Sequence, residues 1–196
     1  MHPFQTFLAA AVLGVSSLLT LSAQEQSEVR LTQTYASPDC GVRFQYPEKW
    51  QVWASHDCTF KVYAEGTQVK RSQAKDNSNL RLVRISVAND TFEDVARDAG
   101  FELQNGSWVI KGESEAPAES VHEPYEGLIV PDFACRMYTD NGYAGVGECA
   151  AAILADDQRA ASFYANPDAI DLLPKLVKSF RFIPTTAATD QQNSPK

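Results

Sequence analysis

The sequence lacks the short motifs by which many enzymes are recognised. It contains no G-x-S-x-G nucleophile elbow, no H-E-x-x-H zinc motif and no phosphate-binding P-loop. Histidine is scarce, and of the three in the chain His2 belongs to the N-terminal targeting segment described below. Nucleophilic catalysis that depends on histidine also needs a positioned Ser or Cys and an orienting group. We therefore expect a protein that is not an enzyme, although a hydrolase could carry its catalytic residues scattered along the sequence.

An excess of positive charge is also missing. The formal net charge is -8, from 17 Lys and Arg against 25 Asp and Glu. Proteins that bind the phosphate backbone of nucleic acids need clustered Lys and Arg, so a nucleic-acid partner is not expected. The negative charge is typical of a soluble protein, and the partner that we expect is a protein.

A hydrophobic run long enough to span a membrane is absent. The uncharged apolar run Phe7–Leu21 has about 15 residues, whereas a membrane-spanning helix needs roughly 20. Small residues and then a polar stretch follow it, which predicts a cleaved signal peptide over residues 1–23. The alternative is an uncleaved anchor, because His2 replaces the usual Lys or Arg and Leu21 is bulky for the third position before the cut. We expect export to the periplasm or beyond, with membrane association only through a partner or an uncleaved signal segment.

The remaining chain is long enough for one domain with a substantial core. Residues 24–34 are polar and are predicted to be a flexible N-terminal segment, and residues 185–196 to be a disordered tail. The single domain is therefore predicted to extend over residues 35–184. Within it, two polar stretches, 67–79 and the acidic 112–120, are expected to be loops.

The four cysteines allow three pairings, and an even number in an exported chain favours disulfide bonds. They are Cys40, Cys58, Cys135 and Cys149. If Asn141-Gly142-Tyr143 forms a three-residue hairpin loop, Cys135 and Cys149 lie directly opposite each other, and Cys40 is left to pair with Cys58. No C-x-x-C motif occurs, so neither a thioredoxin-type redox site nor a zinc ribbon is indicated.

Apolar residues recur mainly with the period of two that is typical of strands. Residues 42–46 and 58–64 alternate in this way, and Asn105-Gly106 predicts a hairpin turn. Helical spacing appears only near 92–99, with Thr91 or Asp90 as the cap, and again from Asn166-Pro167 onward, where Pro174 should kink or divide the helix. The predicted class is α+β, a mainly antiparallel central sheet with helices packed on it.

Two segments resemble the PsbP-like domain family. The first is Tyr35–Trp50, in which a Gly-hydrophobic strand leads into the turn Tyr46-Pro47-x-x-Trp50, and the second is the closing Leu176–Ile183. The resemblance implies an α/β/α sandwich and a non-enzymatic role, because family members dock on other proteins or assist membrane complexes. The four cysteines do not belong to the family pattern and indicate an exported bacterial branch.

A divalent metal site is an alternative interpretation of one group of residues. If Cys40 pairs with Cys58, the bond brings Asp39 close to His56 and Asp57. Two carboxylates and an imidazole can bind a divalent metal. The simpler interpretation is that polar residues flank an exposed disulfide, so we expect no obligatory cofactor.

These patterns together favour an exported, non-catalytic binding or accessory protein that assists an envelope or membrane protein complex. Two alternatives stay open. One is a secreted protein that binds a metal or a small ligand, and the other is a hydrolase without a sequence-local motif.

Overall fold

A computed structural model describes residues 29–64, 82–139 and 142–185. The predicted signal peptide, the loop 67–79 and the tail after Thr185 lie outside these described residues. The described strands, in chain order, are β1 (Leu31–Ser37), β2 (Val42–Pro47), β3 (Trp50–Ala54), β4 (Thr59–Ala64), β5 (Leu82–Ala88), β6 (Phe101–Gln104), β7 (Ser107–Lys111), β8 (Glu115–Pro117), β9 (Glu119–Val121), β10 (Glu126–Thr139), β11 (Gly142–Ala155), β12 (Ala160–Ala165) and β13 (Arg181–Phe182). The helices in the same residues are α1 (Phe92–Asp98), a 3₁₀ helix (Pro167–Leu172) and α2 (Leu173–Ser179).

The strands form mainly antiparallel sheets, and the two α-helices are short. A seven-stranded sheet has the order β3-β4-β5-β12-β11-β10-β9, and two three-stranded sheets have the orders β1-β2-β13 and β6-β7-β8. The chain is thus largely β, and α+β only in a loose sense, because each α-helix has seven residues. In the described part of the chain, no helix is long and apolar enough to cross a bilayer.

Strand β11 divides the core between the two faces of the large sheet, because its side chains alternate. Ala152 and Leu154 belong to the cluster that contains α2, β1 and β2. Ala151 and Ile153 belong to a second cluster, which contains α1, β6 and β7. The cysteine bond between residues 135 and 149 lies in this second cluster.

Several predicted turns and caps are confirmed. The hydroxyl of Thr91 accepts a hydrogen bond from the Asp94 amide (3.2 Å) and so caps α1. Asn105 and Gly106 have φ angles of 51° and 82° between β6 and β7, as a two-residue hairpin turn requires. Pro174 lies in the first turn of α2, where main-chain amides have no partner within the helix, so the proline costs no helical hydrogen bond. The helical segment is divided at this point into a 3₁₀ helix and the α-helix.

Two predictions about loops are wrong in part. Residues 31–34 were expected to be flexible, but they belong to β1, because Leu31 and Tyr35 pack on the core while polar residues between them face outward. The acidic stretch 112–120 contains β8 and most of β9, which pair with β7 and β10.

Strand β10 is continuous from Glu126 to Thr139, with a shift in register between Val130 and Phe133. Pro131, which has no amide hydrogen to donate, lies in this interruption.

Candidate functional site

A groove of about 820 Å³ lies between the start of β1, the outer side of β2 and helix α2. Its floor includes Phe44 and Gln45 of β2, and Thr32 and Thr34 of β1 form part of one wall. Five of its lining residues are cations, namely Arg30, Arg43, Lys175, Lys178 and Arg181. No Asp, Glu, His or Cys is among the described residues that line it. The groove is therefore a strongly positive region of a protein whose formal charge is -8.

The alternation of β2 explains how one of these cations reaches the groove. Val42 and Phe44 are fully buried, so Arg43 between them projects from the opposite side of the strand and is exposed. In the antiparallel pair with β13, Arg43 lies directly opposite Arg181. Two like charges in opposite positions destabilise a strand pair by about 0.2–1 kcal/mol. An anion bound close to both side chains would offset this local cost.

Helix α2 contributes two lysines because of its helical period. Leu173, Leu176 and Val177 are buried against the core, which places Lys175 and Lys178 on the groove side. The Nζ atom of Lys175 donates to the main-chain oxygen of Val29 (2.9 Å) and so ties the helix to the segment before β1.

Main-chain groups hold the guanidinium group of Arg181. Its Nη1 atom donates to the carbonyl oxygens of Lys178 (2.8 Å) and Phe180 (2.6 Å), at the C-terminal end of α2. A cation at this position also interacts favourably with the helix dipole. By contrast, Arg43 and Lys178 form no ion pair within the described residues. Their charges are available to a bound anion.

An apolar cleft of about 450 Å³ lies on the other side of α2. It is lined by Val121, Pro124, Ile129, Pro174 and Val177. Lys178 and Arg181 also line it, so the cleft and the cationic groove meet at these two side chains.

The predicted disulfide bonds are both present, as Cys40–Cys58 and Cys135–Cys149. The expected loop register is wrong, however. Cys135 pairs with Gly147 and Cys149 with Phe133, so the two cysteines are diagonal neighbours in the ladder, not directly opposite. The offset arises because the ladder begins with Thr139 opposite Gly142, a shorter connection than the predicted loop, and the shift in register between Met137 and Tyr138 recovers only one residue of the difference. The Cα atoms of the two cysteines are still 5.8 Å apart, within the range for a disulfide. Two disulfide bonds suggest an oxidising environment outside the cytoplasm.

The three residues of the predicted metal site are all exposed and lie near the Cys40–Cys58 bond. The Asp57 carboxylate accepts hydrogen bonds from the Ser55 hydroxyl and from the Thr59 amide. The hydrogen bond from Ser55 is the main reason why the pKa of Asp57 is lowered. Among residues 29–64, 82–139 and 142–185, no group of three His, Cys, Asp or Glu side chains is arranged to hold a metal ion. The site at Asp39, His56 and Asp57 thus stays a prediction without support from this geometry.

The cationic groove was not predicted from the sequence, although two signals for it are present. One is the arginine between two buried apolar residues in β2, and the other is the i, i+3, i+6 spacing of Lys175, Lys178 and Arg181. Each signal alone is typical of an ordinary solvated surface. Only the packing of β1 and α2 on either side of β2 brings the two sets together.

Comparisons with known proteins show a remote likeness and no family. No family model matches the sequence, and no curated protein matches it either. A crystal structure from Bacteroides thetaiotaomicron VPI-5482 is similar, with a TM-score of 0.45 and 10% sequence identity. The match covers 78% of this chain but only 49% of that one, so this chain spans about half the length of that protein. The solution structure of cyanobacterial PsbP (CyanoP) from Synechocystis sp. PCC 6803 is similar at a TM-score of 0.39 and 11% identity, over 83% of this chain and 98% of that one.

Proposed function

We propose that this protein is an exported, non-catalytic binding or accessory module that binds an acidic segment of a protein partner in its cationic groove. The domain is proposed to belong to the PsbP-like family and to have its α/β/α arrangement, on the strength of the two sequence segments at 35–50 and 176–183. The proposed location is the periplasm or the extracellular space, where the two disulfide bonds would persist. The partner would belong to an envelope or membrane protein complex.

The observation that carries this proposal is the charge of the groove. Five cations line it and no described carboxylate does, although acidic residues outnumber basic ones in the whole chain. Exposed ion pairs contribute only about 0.2–1 kcal/mol each. A single carboxylate would therefore bind weakly, whereas several carboxylates on one segment would engage several of the cations together.

The chemistry of the groove favours binding over catalysis. Among its described lining residues, hydroxyl groups come from Thr32, Thr34 and Ser179, and no His, Asp or Glu is present to activate them. The hydroxyl of Ser179 is already used in the fold. It accepts a hydrogen bond from the main-chain N–H of Gln45 (3.1 Å) and donates one to the main-chain carbonyl oxygen of Leu176 (3.0 Å).

The test is site-specific photo-cross-linking in the native envelope, followed by mass spectrometry. A photoreactive side chain would replace Gln45, which lies exposed in the groove. The matched control would replace Leu103, which is 58% exposed on the separate sheet that contains β6. We expect the photoreactive side chain at position 45, but not the one at position 103, to be cross-linked to an Asp- or Glu-rich segment of one envelope protein. The additional change Lys178→Glu should abolish the cross-link from position 45.

Equal products from both positions, or a Gln45 product that persists in Lys178→Glu, would argue against the groove as the binding surface. Turnover of any substrate by the purified protein would overturn the non-catalytic role and favour the hydrolase alternative. A stoichiometric divalent metal in the purified protein would favour the metal-binding alternative instead.

A further inference from the structure

Helix α2 separates two depressions of opposite character. On one side is the cationic groove of about 820 Å³, and on the other is the apolar cleft of about 450 Å³. Lys178 and Arg181 line both. A single ligand that crosses α2 at these two side chains could therefore occupy both depressions.

The cleft is built from side chains that the core only partly covers. Val121 of β9 and Ile129 of β10 are half-buried, and Pro174 on α2 is exposed. Its one lining carboxylate belongs to Glu123, on the side of the cleft that comes from the β9–β10 connection. The volume falls within the range of about 300–1,000 Å³ that is usual for ligand clefts. An aliphatic or aromatic group would fit its chemistry, because such a group removes further apolar surface from water.

We propose that the bound segment is amphipathic, with a block of carboxylates in the cationic groove and an adjoining apolar anchor in the cleft across α2. This inference rests on the function proposed above and adds the chemistry and the order of the partner's residues. The carboxylates contact Arg43, Lys178 and Arg181, and the apolar anchor contacts Val121, Ile129 and Pro174. Charge gives long-range attraction and register, while the buried anchor supplies most of the gain in affinity.

A protein segment fits this surface better than an anionic membrane does. Both depressions are concave, and the floor of the cationic groove is formed by β2 between β1 and α2. A flat bilayer contacts a planar surface most readily, whereas the lining of the cationic groove includes the half-buried side chains of Ser179 and Arg181. An extended peptide can enter the groove and cross the helix.

The test measures the binding of short fluorescent peptides to the purified, disulfide-bonded protein by fluorescence anisotropy. One peptide has an Asp/Glu block followed by a Leu/Ile block, a second has the same composition with the two residue types interspersed, and a third has the acidic block alone. We expect the two-block peptide to bind at least about tenfold more tightly than the acidic peptide, as burial of one aliphatic side chain predicts. The interspersed peptide should bind no better than the acidic one.

Uncharged variants of the cleft separate the anchor from the charges. Val121→Ser and Pro174→Ala should each reduce the affinity for the two-block peptide and leave that for the acidic peptide unchanged. Leu103→Ser, at an exposed site on another sheet, should change neither affinity. Thermal unfolding shows whether each variant is folded. If Val121→Ser does not fold, Pro174→Ala alone tests the apolar anchor.

The outcomes distinguish this inference from the function on which it rests. If all three peptides bind equally and the cleft variants have no effect, the anchor is refuted while an acidic partner in the groove stands. If no acidic peptide binds, or if Lys178→Glu binds as well as the parent protein, both proposals fail. Binding to phosphatidylglycerol vesicles in place of the peptides, with loss in Lys178→Glu, would assign the groove to a membrane surface.

Discussion

The Arg159 guanidinium binds the Asp156 carboxylate and, at the same time, the main chain of a different sheet. Its Nη2 and Nε atoms donate to Asp156 Oδ2 at 2.7 and 3.2 Å. Its Nη1 atom donates to the carbonyl oxygens of Gly41 (2.8 Å) and Ile183 (3.0 Å), and the group stacks 4.7 Å from the centre of the Phe182 ring. The turn between β11 and β12 is thereby fixed to one end of the small sheet that forms the floor of the cationic groove, where the start of β2 meets the end of β13.

We predict that Arg159→Ala lowers the free energy of unfolding by about 2–4 kcal/mol, because two carbonyl oxygens and a carboxylate lose a donor in a largely buried place. The Arg159 side chain is only 14% exposed. Arg159→Lys should recover only part of the loss, since a single ammonium group cannot reach all three acceptors in the geometry of the guanidinium fork. Urea unfolding measures both variants, and an unchanged midpoint for Arg159→Ala would contradict the structural role.

Gly41→Ala tests the same contact from the other side. Gly41 has a φ of 63°, and an added Cβ atom would collide with Arg159 Nη1. Gly106 has a φ of 82° but no neighbouring atom within 4 Å of such a Cβ, so Gly106→Ala is the matched control. The control should lose about 1 kcal/mol, the ordinary cost of a left-handed backbone without glycine. Gly41→Ala should lose clearly more, and equal losses in thermal or urea unfolding would show that the collision is absent.

Acid should weaken the fold through Asp156. Burial tends to raise the pKa of its carboxyl group, but hydrogen bonds from Arg159 and from the amides of Gln158 and Arg159 outweigh this, and the pKa lies below the ordinary 3.8. A depressed pKa in the folded state stabilises the protein above the pKa of the unfolded chain, and this contribution is lost as pH falls through the folded pKa. Unfolding measured from neutral pH to below 3.8 should therefore show a smaller loss of stability in Asp156→Asn than in the parent protein.

Each disulfide bond closes a short loop, with sequence separations of 18 and 14 residues. Loops of this length are worth about 3 kcal/mol each by the chain-entropy estimate. We expect the double variants Cys40→Ser/Cys58→Ser and Cys135→Ser/Cys149→Ser to lose comparable stability in urea.

Intact mass with and without reductant should show four thiols only after reduction, and four free thiols in the protein as purified would contradict both bonds.

The facing arginines of β2 and β13 predict that stability and binding change in opposite directions. Arg43→Thr removes a like-charge pair and adds a residue that favours strands, so the free energy of unfolding should rise by about 0.2–1 kcal/mol. The same change should weaken the binding of acidic peptides, most of all at low salt, where exposed charges are least screened. Gln45→Thr, on the same side of β2, is the control and should leave the charge-dependent part of binding intact. A variant that loses stability would show that Arg43 has a partner in the fold.

Local signals predicted local structure well. The cap at Thr91, the turn at Asn105-Gly106 and the division of the last helix near Pro174 are each fixed by neighbours in the sequence, and the structure has them. The pairing of the cysteines was also accessible, because a hairpin near Asn141-Gly142 brings Cys135 and Cys149 close enough to bond even though its register differs from the predicted one.

Features that depend on distant contacts were missed. The first four residues of β1, 31–34, were predicted to be flexible because the segment is mostly polar, and only the pairing of β1 with β2 and the packing of Tyr35 on Phe44 reveal where the strand begins. The register near the hairpin tip depends on a shift between Met137 and Tyr138 that no sequence pattern marks. The groove needs β1, β2 and α2 in place at once, so its cations could not be grouped from their positions in the chain.

The guanidinium of Arg159 also has a consequence for the way in which the protein opens. The Arg159 side chain joins the β11–β12 turn of the large sheet to the small sheet, and the carbonyl groups of Gly41 and Ile183, at one end of the small sheet, both depend on it. The small sheet should therefore not detach by itself from the rest of the molecule. In native-state hydrogen exchange, the amides of β2 and β12 should become accessible in a single concerted event, and the groove that β2 underlies should persist for as long as the protein is folded.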